Sequence, residues 1–255
     1  MNAQSDLEHW QDYLEAALPS EANPTLVVRV FRETSSTQDV AKTFAPHRAL
    51  VVADQQVAGR GRLGRSWLST PGSSVLMSVC WPIDALATTH DRVSMAVGVA
   101  LAKAVESIAP DAEVRLKWPN DILVDGRKLA GILIEGTRDT FIIGVGMNVT
   151  PEACNDPEIR PSTTSLAEMR RSIDRLTVIE TIYIELHKAL SSGNTNRLLE
   201  DWRARAALGE THTFEHHGRQ IKGDIMDLDT DHGLIVRRDS GEIIVLPAAT
   251  TSVVK

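Results

Sequence analysis

The chain reads as an α+β protein: a mixed, largely antiparallel sheet packed with helices, followed by a small β-barrel. Three observations predict this. Strand-like runs crowd together between 113 and 149, too close for crossover helices, so that part of the sheet must pair antiparallel. Helical patterns flank them, over 91–108 and again over 175–206. Beyond Leu208-Gly209 the character changes to short strands broken by Gly and Asp. The expected division is a larger domain over 1–208 and a small barrel over 209–255.

The elements follow in order. "SDLEHWQDYLEAAL" brings Leu7, Trp10, Leu14 and Ala17 to one helical face, and Ser5 with Glu8 has capping-box spacing. "TLVVRVF" is β-branched and apolar, hence a strand. In "ETSSTQDVAKTF" the Ser35-Ser36-Thr37 cluster can cap a helix, and a helix start also offers free N–H groups to an anion or a ureido-type acceptor. "ALVVAD" reads as a buried strand and "SSVLMSVCW" as the next one. The Ala/Val-rich stretch 91–108 contains no proline and reads as a mostly buried helix. Then come the strands "EVRLKW", "DILV", "KLAGILIEG" and "TFIIGVGMNV", the middle pair joined by Asp125-Gly126, a strong hairpin signal. "RLTVIETIYIELHKAL" and "NRLLEDWRARA" complete the larger part as two helices.

Composition narrows the function. The chain has 255 residues, 42% hydrophobic and 24% charged, with a formal net charge of −7. Such an acidic balance leaves no basic surplus to displace counterions from nucleic-acid phosphates. No apolar run approaches the ~18 residues that span a bilayer, and the first residues lack the pattern of a signal peptide. Cys80 and Cys154 are too few and too far apart for a disulfide framework. A soluble protein of the reducing cytoplasm is expected.

Against that acidic background, "GRGRLGRSW" (59–67) concentrates three arginines and three glycines. Glycine frees the backbone and arginine offers a planar fork of donors, so the stretch suits a loop closing over an anion. A solvated basic loop is the plain alternative. Gly59, Gly61 and Gly64 also satisfy G-x-G-x-x-G, but that fingerprint needs a helix after its third glycine. Here "RSWLSTPGSS" and another strand follow, so a dinucleotide fold is rejected. Lys117, Asn120, Asp121 and Lys128 cluster around the Asp125-Gly126 hairpin, either as solvated turn residues or at a site where Pro119 breaks the strand. "GVGMN" (144–148) sets glycines in an apolar strand, which suits a bulge or a closely approaching ligand. His212, His216 and His217 read as exposed histidines near a strand, since no nearby cysteine completes a metal set.

Taken together, "SSTQ", "QQVAGRGRLGRSW", "KWPNDILVDGRKLAGILIE" and "GVGMNV", followed by a small C-terminal β region, resemble the biotin–protein ligases. The likeness covers nearly the whole chain. It implies a class II aminoacyl-tRNA-synthetase-like catalytic domain that binds biotin and ATP (1–208) and an SH3-like barrel (209–255). It also implies two steps. Biotin's carboxylate attacks the α-phosphate of Mg-ATP, giving biotinyl-5′-AMP and pyrophosphate, and a lysine of a biotin carboxyl carrier domain then takes the biotinyl group as an amide.

Carried over residue by residue, the resemblance sets Ser36, Thr37, Gln38, Gln56, Gly59, Arg60 and Gly61 around biotin, with Gly131, Gly144 and Gly146. Arg62 and Lys128 meet both the carboxylate and the α-phosphate. Arg65, Trp67, Lys117, Asn120 and Asn148 join them on ATP, Trp67 and Asn120 at the adenine. Catalysis falls to Arg62, Lys128 and Asp121, the last as a Mg²⁺ ligand or as acceptor of the attacking lysine's proton. Lys117 is equally readable as structural.

Two departures stand out. The family commonly has Asn where this chain has Gln38, whose extra methylene moves the amide. Only about two dozen residues precede the first strand, too few for a DNA-binding helix-turn-helix, so the monofunctional type is expected, as a monomer or homodimer without DNA or membrane partners. A lipoate–protein ligase of similar fold, or a non-catalytic biotin or adenylate sensor, are the competing readings.

Overall fold

The computed structural model describes residues 3–18, 26–87, 92–169 and 173–254. Helix α1 (Ala3–Ala17) starts ahead of Ser5, so the expected capping box falls inside the helix and not at its start. It lays Trp10 and Leu14 into the core.

The first sheet is built from β1 (Val27–Thr34), β2 (Ala49–Gln56), β3 (Ser74–Pro82), β4 (Val114–Lys117), β5 (Asp121–Val124), β6 (Arg127–Gly136) and β7 (Thr140–Asn148). Its seven strands lie in the order β1-β2-β3-β7-β6-β5-β4. Only β1 and β2 pair in parallel, and helix α2 (Thr37–Lys42) lies on the chain between them. All other neighbours are antiparallel, as the short connections require. Asp125 (φ 48°) and Gly126 (φ 73°) both take the left-handed backbone that a two-residue hairpin needs.

One face of this sheet is covered by helix α3 (Val93–Ile108). Its alanines, valines and Gly98 are buried on nearly every side, which lets α3 sit between the sheet and helix α5 (Arg175–Ser191). A four-residue helix α4 (Leu166–Met169), which the sequence pattern did not show, precedes α5, and α6 (Thr195–Arg203) follows it. The opposite face is covered only in part. Helix α2 packs Ala41 there against Val51, Cys80 and Ile142. Farther along, serine and glycines interrupt the apolar rows: Ser78 lies beside Gly144 and Leu133, and Leu76 beside Gly146 and Gly131.

The second sheet comprises β8 (Thr211–His216), β9 (Arg219–Asp229), β10 (Gly233–Arg238), β11 (Ile243–Leu246) and β12 (Thr251–Val253), antiparallel in the order β11-β10-β9-β8-β12. Its inward side chains, Phe214, Leu234 and Val236, belong to the same hydrophobic cluster as α3 and the first sheet. The two sheets therefore share one core.

Candidate active site

The arginine-rich segment is a folded hairpin. Gly61 N–H donates to Arg65 O at 2.7 Å and Trp67 N–H to Gly59 O at 2.9 Å, with Arg60 and Ser66 bridged between them. The turn needs Leu63 at φ 55° and Gly64 at φ 74°; glycine takes such an angle without strain, whereas leucine does so only when its surroundings impose it. No parallel crossover follows the glycines, since β2 and β3 pair antiparallel, in keeping with rejection of a dinucleotide fingerprint.

Two arginines of this hairpin are held differently. Arg60 pairs with Asp39 at 2.7 Å and Glu135 at 3.1 Å, and Lys42 reaches Glu135 at 2.8 Å. Partial burial pushes the Glu135 carboxyl up, but Lys42, Arg60 and the Gln38 amide outweigh it and hold it below the usual carboxylate range. Arg62 points the other way. It donates to Asn120 Oδ1 at 3.2 Å and to the Ala248 carbonyl, with Thr251 O at 3.5 Å. Burial lowers its pKa, the charge of Asp121 works against that, and Arg65 adds to it.

Under the hairpin lies a cavity of about 140 Å³, floored by the glycine-rich rows of β6 and β7. The Trp67 ring lies on Gly131 and Gly146; a Cβ on Gly146 would collide with its indole. The Trp67 Nε1–H is buried with no protein partner, a donor left for an acceptor from outside the chain. A second cavity of about 360 Å³ opens between α3, the Lys117–Ile122 segment and the second sheet. Arg62, Asn120 and Asp121 line both, so the two meet at these residues.

Lys128 stands at the same junction. Its ammonium is 2.7 Å from Asp121 and 5.5 Å from the Trp67 ring centre. Strict alternation along β6 would turn Lys128 into the core with Ala130 and Ile132. The register shift between β5 and β6 pairs Ile122 with Ala130 but Leu123 with Lys128, leaving Leu129 as the extra residue of a β-bulge. The bulge sends Leu129 into the core and swings Lys128 over Gly131, with Nζ 3.2 Å from where a Gly131 Cβ would be.

The structure brings most of the expected residues together. Ser36, Thr37, Gln38, Gln56, Arg60, Gly61, Arg62, Arg65, Trp67, Asn120, Asp121, Lys128, Gly131, Gly144 and Gly146 all line the smaller cavity. Three do not. Gly59 faces a third cavity behind the hairpin. Lys117 lines the larger cavity only. Asn148 is buried and donates its amide to Thr164 O at 3.0 Å, a structural bond that turns it away from both cavities. Gln38 stays at the wall: its amide spans to Ile142 O at 2.9 Å and Leu133 O at 3.4 Å, over the space a Gly144 Cβ would need.

Two further contributions complete the walls, the first of which escaped the sequence. Ser78 lines the smaller cavity from the middle of β3, and a serine within "VLMSVCW" carries no motif signal. The second sheet also supplies wall: Ser252 to the smaller cavity, Asp229–Gly233 and Pro247–Ala249 to the larger. His216 meets the Thr251 hydroxyl at 2.9 Å, tying β8 to β12. Both cysteines are free and buried, and burial pushes the Cys80 thiol up to about 11.

Comparison with known proteins places this geometry. Residues 29–148 match the model of the biotin/lipoate A/B protein ligase family. The biotin–[acetyl-CoA-carboxylase] ligase of Mycobacterium tuberculosis is 35% identical over 209 residues, 78% of this chain and 76% of that protein. Among solved structures, the biotin protein ligase of Aquifex aeolicus in complex with biotin and ATP superposes with a TM-score of 0.77 at 25% identity, over 89% of this chain and 99% of the other. The Leishmania major enzyme in complex with biotinyl-5-AMP gives 0.65 at 26% identity, over 88% and 99%. An α+β chain with arginines, Lys128 and Asp121 gathered over a glycine-paved sheet, and with these relatives, belongs to the biotin–protein ligase family.

Proposed function

We propose that the chain activates biotin with ATP to biotinyl-5′-AMP and passes the biotinyl group to a lysine of a biotin carboxyl carrier domain. It is a ligase that forms AMP and an amide bond. One observation carries the reading most: a small polar cavity and a larger one meet at Arg62, Asn120 and Asp121, with the Lys128 ammonium at the junction. An acid seated in the first and a nucleotide in the second bring two anions together there, so fixed cations at that point lower the barrier to their reaction.

The roles follow from position. The polar residues at the ends of β1 and β2 receive the biotin ring system, and the glycines of β6 and β7 let it lie against backbone. Lys128 and Arg62 neutralise charge as the carboxylate oxygen bonds to the α-phosphorus and pyrophosphate departs. Asp121, 2.7 Å from Lys128, keeps that ammonium in place. In the second step the carrier lysine's nitrogen attacks the biotinyl carbonyl, AMP leaves, and Asp121 accepts the amine's proton. The Asn120 side chain, which lines both cavities, suits the nucleotide, and the unpartnered Trp67 N–H faces the smaller cavity beside it.

Mg²⁺ fits this donor set as an ion that arrives with ATP. No group of three His, Cys, Asp or Glu among the described residues forms a cage. Mg²⁺ sites typically use one or two carboxylates plus substrate phosphates, and Asp121 borders the larger cavity for that purpose. Bound there, the ion supplies further charge neutralisation at phosphate.

The setting we propose is the cytoplasm, where two buried thiols stay reduced, with the chain acting as a monomer or homodimer without DNA. No described helix is long and apolar enough to cross a membrane. Incubating the protein with Mg-ATP, biotin and a carrier domain tests the function: one carrier lysine gains biotin. Lipoate in a parallel reaction gives no product; lipoylation without biotinylation overturns the reading in favour of the lipoate alternative.

A further inference from the structure

We infer that Ser78, through a one-way hydrogen-bond relay, fixes Thr37 as an acceptor and so sets the preference of the smaller cavity for a ring bearing N–H groups. The inference rests on the proposed function and adds a positioning residue to it. Ser78 is fully buried on β3, beside Gly144, with its hydroxyl at the cavity wall.

The protons can be counted. The Gln38 amide is oriented by its surroundings: Nε2 faces the carbonyls of Ile142 and Leu133, so Oε1 is the end turned to Ser78, at 3.0 Å. The Gln56 amide is oriented too, because Oε1 receives the Thr37 backbone N–H at 2.8 Å. Between these two fixed carbonyls stand the hydroxyls of Thr37 and Ser78, 2.8 Å apart, with Thr37 Oγ1 at 3.0 Å from Gln56 Oε1. The three contacts share one proton from each hydroxyl.

If both protons point outward to the amides, the two hydroxyl oxygens face each other at 2.8 Å with nothing between them. If Ser78 donates to Thr37, Gln38 Oε1 is left buried without a donor, at a desolvation cost. The order Thr37 to Ser78 to Gln38 puts a proton in the shorter hydroxyl contact and in the one to Gln38 Oε1, and leaves the unprotonated contact at the longer Thr37–Gln56 distance of 3.0 Å, where Gln56 Oε1 already receives the backbone N–H. Thr37 then shows the cavity only lone pairs. Gln56 Nε2 and the hydroxyl of Ser36, whose oxygen accepts from Gln38 N at 3.3 Å, show donors. An acceptor set among donors is the complement of a cyclic urea, with its N–H groups and one carbonyl.

The glutamine is part of the device. Its longer side chain reaches over Gly144 to the β-sheet carbonyls, and a Cβ on Gly144 would sit 2.6 Å from Oε1. Gln38, Ser78 and Gly144 thus act together behind Thr37, without themselves reaching the reacting atoms.

The test is biotin-dependent pyrophosphate release by the parent, Ser78→Ala and Ser78→Thr. The alanine variant frees the Thr37 proton to rotate, and the KM for biotin rises about three- to tenfold, the worth of one hydrogen bond. Its kcat and its KM for ATP stay near parent values, a split that general damage to the fold does not produce. Ser78→Thr, which keeps the hydroxyl, restores the biotin KM. With a biotin analogue methylated on the urea nitrogens, the parent's discrimination against the analogue narrows in Ser78→Ala. Ser78→Cys, close in volume, carries the same comparison if the alanine chain does not fold. Unchanged biotin KM and unchanged discrimination in a folded variant overturn the relay, while a parent that releases no pyrophosphate with biotin overturns the function beneath it.

Discussion

Lys128 shows how far a single residue is legible. Its place beside the Asp125-Gly126 hairpin is written in the sequence, as are the neighbouring Asp121 and Gly131. The bulge at Leu129, which turns Lys128 from core to cavity, is not, because it depends on how β5 pairs with β6. Ser78 is the opposite case, invisible in an apolar run until β7 is laid beside it. Lys128→Ala removes a charge-assisted contact made as the phosphate reacts, so biotin-dependent pyrophosphate release falls about a hundredfold or more. Its melting temperature stays close to the parent's, because the pair with Asp121 is partly exposed and such pairs contribute little. A rate within about tenfold of the parent would make Lys128 a turn residue only. Gly146→Ala tests the floor: the added methyl must displace the Trp67 indole into the smaller cavity, and the KM for biotin rises while the fold persists.

At the scale of elements, the strands and long helices followed their periodicities, since alternation and the 3.6-residue repeat are local properties. The helix start and the four-residue α4 are details that periodicity alone does not set. The arginine hairpin needed three dimensions: its cations are divided between the Asp39–Glu135 pair on one side and the second sheet on the other. Two expectations belong to this element. Glu135 is held below its ordinary value of 4.5, so its tie to Arg60 and Lys42 contributes above that pH and is lost as pH falls through the lower, folded value. Limited proteolysis at 59–67 therefore quickens in acid and slows at neutral pH when biotin and ATP are present. Arg62→Gly cuts the tie to Ala248 and Thr251 but leaves Lys128, so adenylate still forms and escapes. Biotin then appears on lysines of a bystander protein, measured by mass spectrometry. Absence of any adenylate makes Arg62 indispensable to the first step, beyond its share of charge neutralisation with Lys128, and full retention of adenylate means the hairpin is not a seal.

For the whole molecule, the change of character after Leu208-Gly209 marks the second sheet, and we retain 1–208 and 209–255 as the proposed division. What the sequence could not convey is how closely the parts depend on each other, because every motif lies before residue 209. Phe214 and Leu234 share the main core, and the second sheet walls both cavities. Residues 1–208 alone should therefore melt lower and show a raised KM for ATP, beyond any loss in transfer to the carrier. An unchanged KM for ATP in that fragment would confine the second sheet to the carrier step.

The two-step chemistry joins all three scales, and isotope exchange reads it directly. Labelled pyrophosphate is incubated with the protein, Mg-ATP and biotin, with no carrier domain present. A reversible adenylation at the junction of the cavities predicts label entering ATP only when biotin is added, and strongly reduced entry with Lys128→Ala. Exchange that needs the carrier, or that proceeds with lipoate and not with biotin, would contradict the account.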